Sequence, residues 1–325
     1  MVLGFTDPRV KQVLGEWAQI APELGYDPGA FRSKLIWQKD EAVRSHVVIR
    51  LKGPRRLILK RVFKAPAGEE LVDAIAAQKA AHQRLKDFPK AHAPEVLFAS
   101  ERGDIVVMAE ASGKTLNDHL TGGRDPSQML RRTGAWLAAF HSAGPVEERT
   151  YQPRFMVGHI TRMAEAVRAN DLAVADPDRF VACCDKVAEL AQTASGQETV
   201  SATKHGDFNL RNILLGPDGE TGLDFKPPSS APVGFDIARV LMDYAELFQP
   251  TPQVSGTVLS DRALDAFFGG YDLVSRDDPA VRFLPFVQLL NDWRLIPPDP
   301  SQRSWRQKTR YEAIIRLAQN GFGVE

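Results

Sequence analysis

Three side chains with oxygen atoms suited to phosphoryl chemistry fall within eighteen residues: Asp207, Asn212 and Asp224. The first two lie in Lys204-His205-Gly206-Asp207-Phe208-Asn209-Leu210-Arg211-Asn212, which runs on into Ile213-Leu214-Leu215. The third lies in Gly222-Leu223-Asp224-Phe225. A carboxylate can orient an attacking hydroxyl. An amide oxygen and a second carboxylate can hold magnesium against nucleotide phosphates. Asp and Asn also cap turns in proteins that do no such chemistry. The downstream Asp, inside a second apolar segment, is what makes the spacing informative.

Elements must hold these groups in place. Helical spacing covers residues 7–24, with Val10, Val13, Leu14, Trp17, Ile20 and Leu24 on one face. Strand patterns follow at 33–38, 46–51 and 56–63, the last two joined across the Gly53-Pro54 turn. Gly68-Glu69-Glu70 opens an Ala-rich helix to about Leu85, and two more strands fit 96–99 and 104–109. From Gly113 the pattern turns helical, at 129–142, 155–170, 178–193, 234–248, 260–276, 279–292 and 305–319. Short strands and loops interrupt it at 200–225. The reading is an α+β chain, with an antiparallel-sheet first part and a mainly helical remainder.

These motifs resemble the catalytic loop and metal-binding segment of the aminoglycoside phosphotransferase and choline kinase-like family, small-molecule kinases with a protein-kinase-like two-lobe fold. The resemblance implies an N-lobe over 1–110, a nucleotide-binding sheet with one long helix. It implies a C-lobe over 111–325 with the catalytic loop and the acceptor-binding helices. It also implies ATP and Mg2+ as cofactors. Asp207 would orient the acceptor hydroxyl and accept its proton, Asn212 and Asp224 would bind magnesium, and Lys60 would hold the α- and β-phosphates. Lys52 and Lys64 compete with Lys60, which is favoured because it lies within the hydrophobic run. Glu110 and Ala111 would offer backbone groups to adenine, and Ser45 with nearby amides could meet phosphate oxygens. Asp236, twelve residues after Asp224, would cap a helix and brace the catalytic loop.

The chain departs from the family pattern in two places. Gln78 stands where a Glu would pair with the lysine, although Glu70 and Asp73 lie earlier on the same helix. The 39–45 segment has no glycine, unlike the phosphate lid of protein kinases. Both departures keep a non-catalytic nucleotide-binding protein of the same fold as the rival reading. A kinase acting on protein is disfavoured by the short segment between Asp224 and Asp236. Ser112-Gly113-Lys114-Thr115 mimics the end of a P-loop, but that motif needs a glycine where Met108 stands.

Composition narrows the partners. The 325 residues are 43% hydrophobic and 25% charged, with 41 basic and 41 acidic side chains, so no net charge draws the chain to nucleic acid or an anionic membrane. No apolar run approaches the roughly 20 residues that span a bilayer. Met1 to Pro8 lacks the pattern of a secretion signal, and the cytoplasm is the expected compartment. The adjacent pair Cys183-Cys184 reads as helix packing. The expected partner is a small-molecule hydroxyl acceptor. Candidate contacts are Asp243, Tyr244, Glu246 and the 288–294 segment, where Trp293 and Arg294 suit a sugar-like or carboxylated molecule. The basic set Arg303, Arg306, Lys308, Arg310 and Arg316 would disfavour an aminoglycoside if it lined the acceptor site.

Overall fold

A computed structural model describes residues 7–67, 71–250, 252 and 254–324. The expected helix start at Gly68-Glu69-Glu70 lies outside these residues. Along the chain come α1 (Pro8–Glu23), β1 (Arg32–Asp40), β2 (Ser45–Lys52), β3 (Arg56–Lys64), α2 (Leu71–Arg84), β4 (Ala91–His92), β5 (Val96–Ala99) and β6 (Ile105–Ala109). Next are β7 (Lys114–Thr115), α3 (Leu116–Thr121), α4 (Pro126–Ser142), β8 (Glu147–Thr150), α5 (Arg154–Arg168), α6 (Pro177–Ala194) and β9 (Glu198–Thr203). Then follow β10 (Ile213–Leu215), β11 (Glu220–Gly222), β12 (Ser230–Pro232), α7 (Gly234–Leu247), α8 (Asp261–Phe268), α9 (Pro279–Arg294) and α10 (Trp305–Phe322).

Contacts divide the chain into two compact units. The first runs to Gly113 and includes Gly216–Pro227; the second comprises Lys114–Leu215 and Pro228–Glu325. The expected division at 110/111 falls three residues short of the first crossing and lacks the later insertion. The insertion belongs to the first unit because β11 pairs parallel with β4, Glu220 opposite Ala91 and Thr221 opposite His92. A pairing of two such short strands across more than a hundred residues leaves no local pattern to read.

The first unit is built on an antiparallel sheet in the order β1-β2-β3-β6-β5. In β2 the side chains alternate between buried and half-buried, the period of a strand with one face in a core. Val47, Ile49, Leu51, Leu57, Leu59 and Val107 turn one way, onto Val10, Val13, Trp17 and Ile20 of α1. Each such side chain contributes about 1.5–3 kcal/mol on burial. Asp7 caps α1 by accepting from the Arg9 amide at 2.8 Å, and Pro8 takes the first helical position, where no amide is needed. Even-numbered residues of β3, Lys60 among them, therefore face away from α1.

In the second unit α4 packs against α8, α5 against α6, and α7 against α9. Asp125, Asp278 and the Ser304/Gln307 capping box start α4, α9 and α10. A small antiparallel sheet, β12-β9-β8, and the β7–β10 pair complete it; β8 was not anticipated. The helix expected over 260–276 stops at Phe268, because Gly269-Gly270 turns the chain and Gly270 lies against the Arg131 carbonyl of α4. Cys183 and Cys184 are buried in α6, and burial pushes both thiols up to about 12, so they pack rather than react. Among the described residues no helix is long and apolar enough to cross a membrane.

Candidate active site

The first unit holds Lys60 and Asp224. Lys60 Nζ lies 2.9 Å from Asp224 Oδ1, with both side chains partly exposed. Asp224 sits at φ 57°, in the left-handed region. That conformation strains a residue with a Cβ by about 1–3 kcal/mol and persists where the surroundings demand it, most often at functional sites. His46, across the strand pair, is pushed below the ordinary imidazole value by burial, then by the positive charges of Lys60 and Arg44. The competing lysines lie elsewhere. Lys64 donates to the Ala42 carbonyl, and Lys52 is exposed at the end of β2.

The remaining first-unit candidates have these places. Gln78 is buried on α2 and donates to the Pro94 carbonyl at 2.7 Å, so the partner of Lys60 is Asp224 rather than Gln78. Ser45 opens β2 opposite Asp40, and its hydroxyl accepts from Arg9 at 3.2 Å. The glycine-free segment is a tight hairpin turn closed by Glu41 donating to the Arg44 carbonyl at 2.8 Å. Glu110 donates its amide to the Arg56 carbonyl at 3.0 Å and pairs with Arg50 at 2.5 Å. Glu110 and Ala111 also help line a cavity of about 420 Å³ with Pro94, Ala109, Ser112 and Thr221.

The second unit holds Asp207 and Asn212. Asn212 Nδ2 donates to the Asp207 backbone oxygen at 2.8 Å and to Oδ2 at 3.2 Å. Asn209 Nδ2 donates to Oδ1 at 3.0 Å, and Arg239 Nε stands 3.7 Å from the same oxygen. The loop beneath is pinned by α7. Asp236 accepts from the His205 amide at 2.6 Å and the Gly206 amide at 3.0 Å, and Asp243 accepts from the Leu210 amide at 3.1 Å. Asp236 braces the loop as expected, but it does not cap α7, whose cap position is Val233. Burial alone would raise the Asp236 carboxyl; the His141 hydrogen bond, the two imidazoles and the His205 amide outweigh it and hold it below the usual range. His141 passes the chain on, with Nδ1 2.8 Å from the Tyr271 hydroxyl. His205 is fully buried among Trp136, Phe140 and Phe208, which makes it loop scaffold.

Several acceptor candidates are instead used up in packing. Asp243 and Glu246 are buried and both engage Arg310, whose guanidinium they stabilise. Trp293 is fully buried, donating to the Ala175 carbonyl at 2.8 Å, and Tyr244 is buried as well. The basic residues between 303 and 316 do not form one open surface. Arg310 points inward, Arg303 lies over the Tyr311 ring, and Arg306 reaches Asn117. Arg239 and Asn209 were missed, since a single Arg or Asn carries no spacing signal. The three-residue interval from Asp236 to Arg239, one helical turn, was the available clue.

Each unit brings one oxygen donor of the kind magnesium takes. Asn212 spends its NH2 on Asp207, leaving the amide oxygen as the donor atom, and Asp224 is a hard carboxylate. Among the described residues no three His, Cys, Asp or Glu side chains form a metal cage. Few protein ligands suit an ion that takes the rest from phosphates and water.

Residues 39–284 match the model of a family described as the phosphotransferase enzyme family. No curated protein matches the chain. Among solved structures, a choline/ethanolamine kinase family protein from Mesorhizobium loti superposes with TM-score 0.60 at 12% identity, covering 94% of both chains. A macrolide 2'-phosphotransferase from Brachybacterium faecium gives 0.54 at 14% identity, over 93% of this chain and 98% of that one. An amicoumacin kinase in complex with AMP-PNP and Ca2+ gives 0.55 at 13% identity, over 97% and 96%. At such identities the likeness speaks for the fold alone, and the fold is the α+β, protein-kinase-like two-lobe fold.

Proposed function

We propose, from the premise that this chain belongs to the phosphotransferase enzyme family, that it moves the γ-phosphate of ATP to a hydroxyl of a small molecule. The observation that carries this reading is the Asp207 carboxylate. Two asparagine amides hold it on a loop that α7 pins at three backbone amides. In this role Asp207 accepts a hydrogen bond from the acceptor hydroxyl and then its proton. The hydroxyl oxygen forms a bond to the γ-phosphorus as the bond to the β-phosphate oxygen breaks, releasing ADP. Lys60, tethered to Asp224, carries positive charge for the nucleotide phosphates. Asn212 and Asp224 would hold Mg2+, which supplies charge neutralisation at the phosphates when bound. No covalent enzyme intermediate is needed, because positioning and electrostatics supply most of the acceleration.

The test is ATP consumption by the purified chain with magnesium, screened over aminoglycosides, choline, amino alcohols and sugars. Acceptor-dependent turnover is expected, and Asp207→Ala is expected to remove nearly all of it while the thermal transition persists. Wild-type-like turnover in that variant would refute the assignment. ATP binding without transfer to any acceptor would favour a nucleotide-binding role, for which the commitment of Gln78 to the Pro94 carbonyl is the motivating observation.

A further inference from the structure

We propose that Arg239 is a positioning residue for the Asp207 carboxylate, itself anchored by Asp292. The inference rests on the reading of Asp207 given above.

Arg239 follows Asp236 by one helical turn, so it projects from the face of α7 that grips the loop. Its Nε is 3.7 Å from Asp207 Oδ1, and its Nη1 is 3.7 Å from Asp292 Oδ1. Asp292, on α9, is almost fully buried and fixed by Gln288, which donates to Oδ2 at 2.9 Å. The guanidinium therefore spans two carboxylates, one on the 204–212 loop and one on α9, and the first is the proposed proton acceptor.

The distances indicate what Arg239 does there. A carboxylate offers about four lone-pair sites. Asn209 takes one on Oδ1, and Asn212 takes one on Oδ2. A group that must receive a substrate proton needs a site left open. At 3.7 Å Arg239 is outside hydrogen-bond range, so it supplies charge without taking a lone pair. Its Nη1, the atom facing Asp292, is buried and makes no hydrogen bond. The duller alternative is that Arg239 only ties α7 to α9 through Asp292. The two roles differ in readout, since a tie affects stability and a positioning residue affects turnover.

The test uses the first compound of the acceptor panel to support turnover, and measures kcat, KM and the thermal midpoint. Arg239→Gln is expected to lower kcat roughly 10- to 100-fold, the scale of a misplaced reacting group, with the KM for ATP little changed. Arg239→Lys should recover part of the loss. Asp292→Asn should lower kcat less, and the double variant should be no worse than Arg239→Gln, since the anchor then has nothing to hold. Wild-type kcat in folded Arg239→Gln, a defect confined to KM, or losses that multiply in the double variant would overturn the proposal. If Arg239→Gln does not fold, Asp292→Asn decides, and wild-type kcat there overturns it. Wild-type protein inert toward every acceptor removes the kinase reading and this inference together. Active wild type with an unaffected Arg239→Gln removes this inference alone.

Discussion

Asp236 shows how much one buried carboxylate can carry. It accepts two backbone amides of the 204–212 loop and contacts His141. Its folded-state value lies below the ordinary one, because the His141 hydrogen bond, the two imidazoles and the loop amide overcome the opposing effect of burial. A depressed carboxylate contributes stability above its unfolded value and loses it as pH falls through the folded value. Asp236→Asn is therefore expected to cost about 1–3 kcal/mol near neutrality, through amides left poorly paired. The difference from wild type should shrink as pH falls below about 4. Thermal midpoints across that range check it, and a gap that widens in acid would contradict the assignment. Local spacing singled out Asp207, Asn212 and Asp224, and the structure joins Asn212 to Asp207 and Lys60 to Asp224. The role of Asp236 was half legible: its interval from Asp224 pointed to loop bracing, while its helix position misled toward capping.

At the scale of elements, the second unit relies on close backbone approach. Gly134 of α4 lies under the Phe267 carbonyl, and Gly270, just past α8, lies against the Arg131 carbonyl. A Cβ on Gly270 has no room beside that oxygen. Gly270→Ala is expected to destabilise by about 1–3 kcal/mol through forced separation. Denaturant unfolding would measure it, and an unchanged midpoint would show that the two elements yield freely. Gly234 plays the same part where α7 starts, with the Ala280 carbonyl carbon 2.7 Å from where a Cβ would stand. Helix periodicity alone marks α4, α7 and α9 in the sequence. It could not reveal Arg239 as a neighbour of Asp207, because that depends on which face of α7 meets the loop and on an anchor contributed by α9.

At the scale of the whole molecule, the chain passes between its two units three times, after Gly113, Leu215 and Pro227. Sequence order suggested a simple two-part division. The strand β11 defeats that expectation, because its partner β4 lies far upstream. A fragment ending at Gly113 thus lacks β11 and Asp224 together, and is expected to show no cooperative thermal transition. Joining residues 216–227 to it through a flexible linker should restore one, as read by circular dichroism. A cooperative transition in the bare fragment would show the insertion to be dispensable.

The same threading has a consequence for synthesis. A ribosome that has finished Gly113 must add 114 more residues, 227 minus 113, before the first unit is complete. At about 5–20 residues per second that interval lasts roughly 6–23 s. Throughout it, the nascent sheet and α1 wait for a strand not yet translated, while the polypeptide of the second unit emerges beside them.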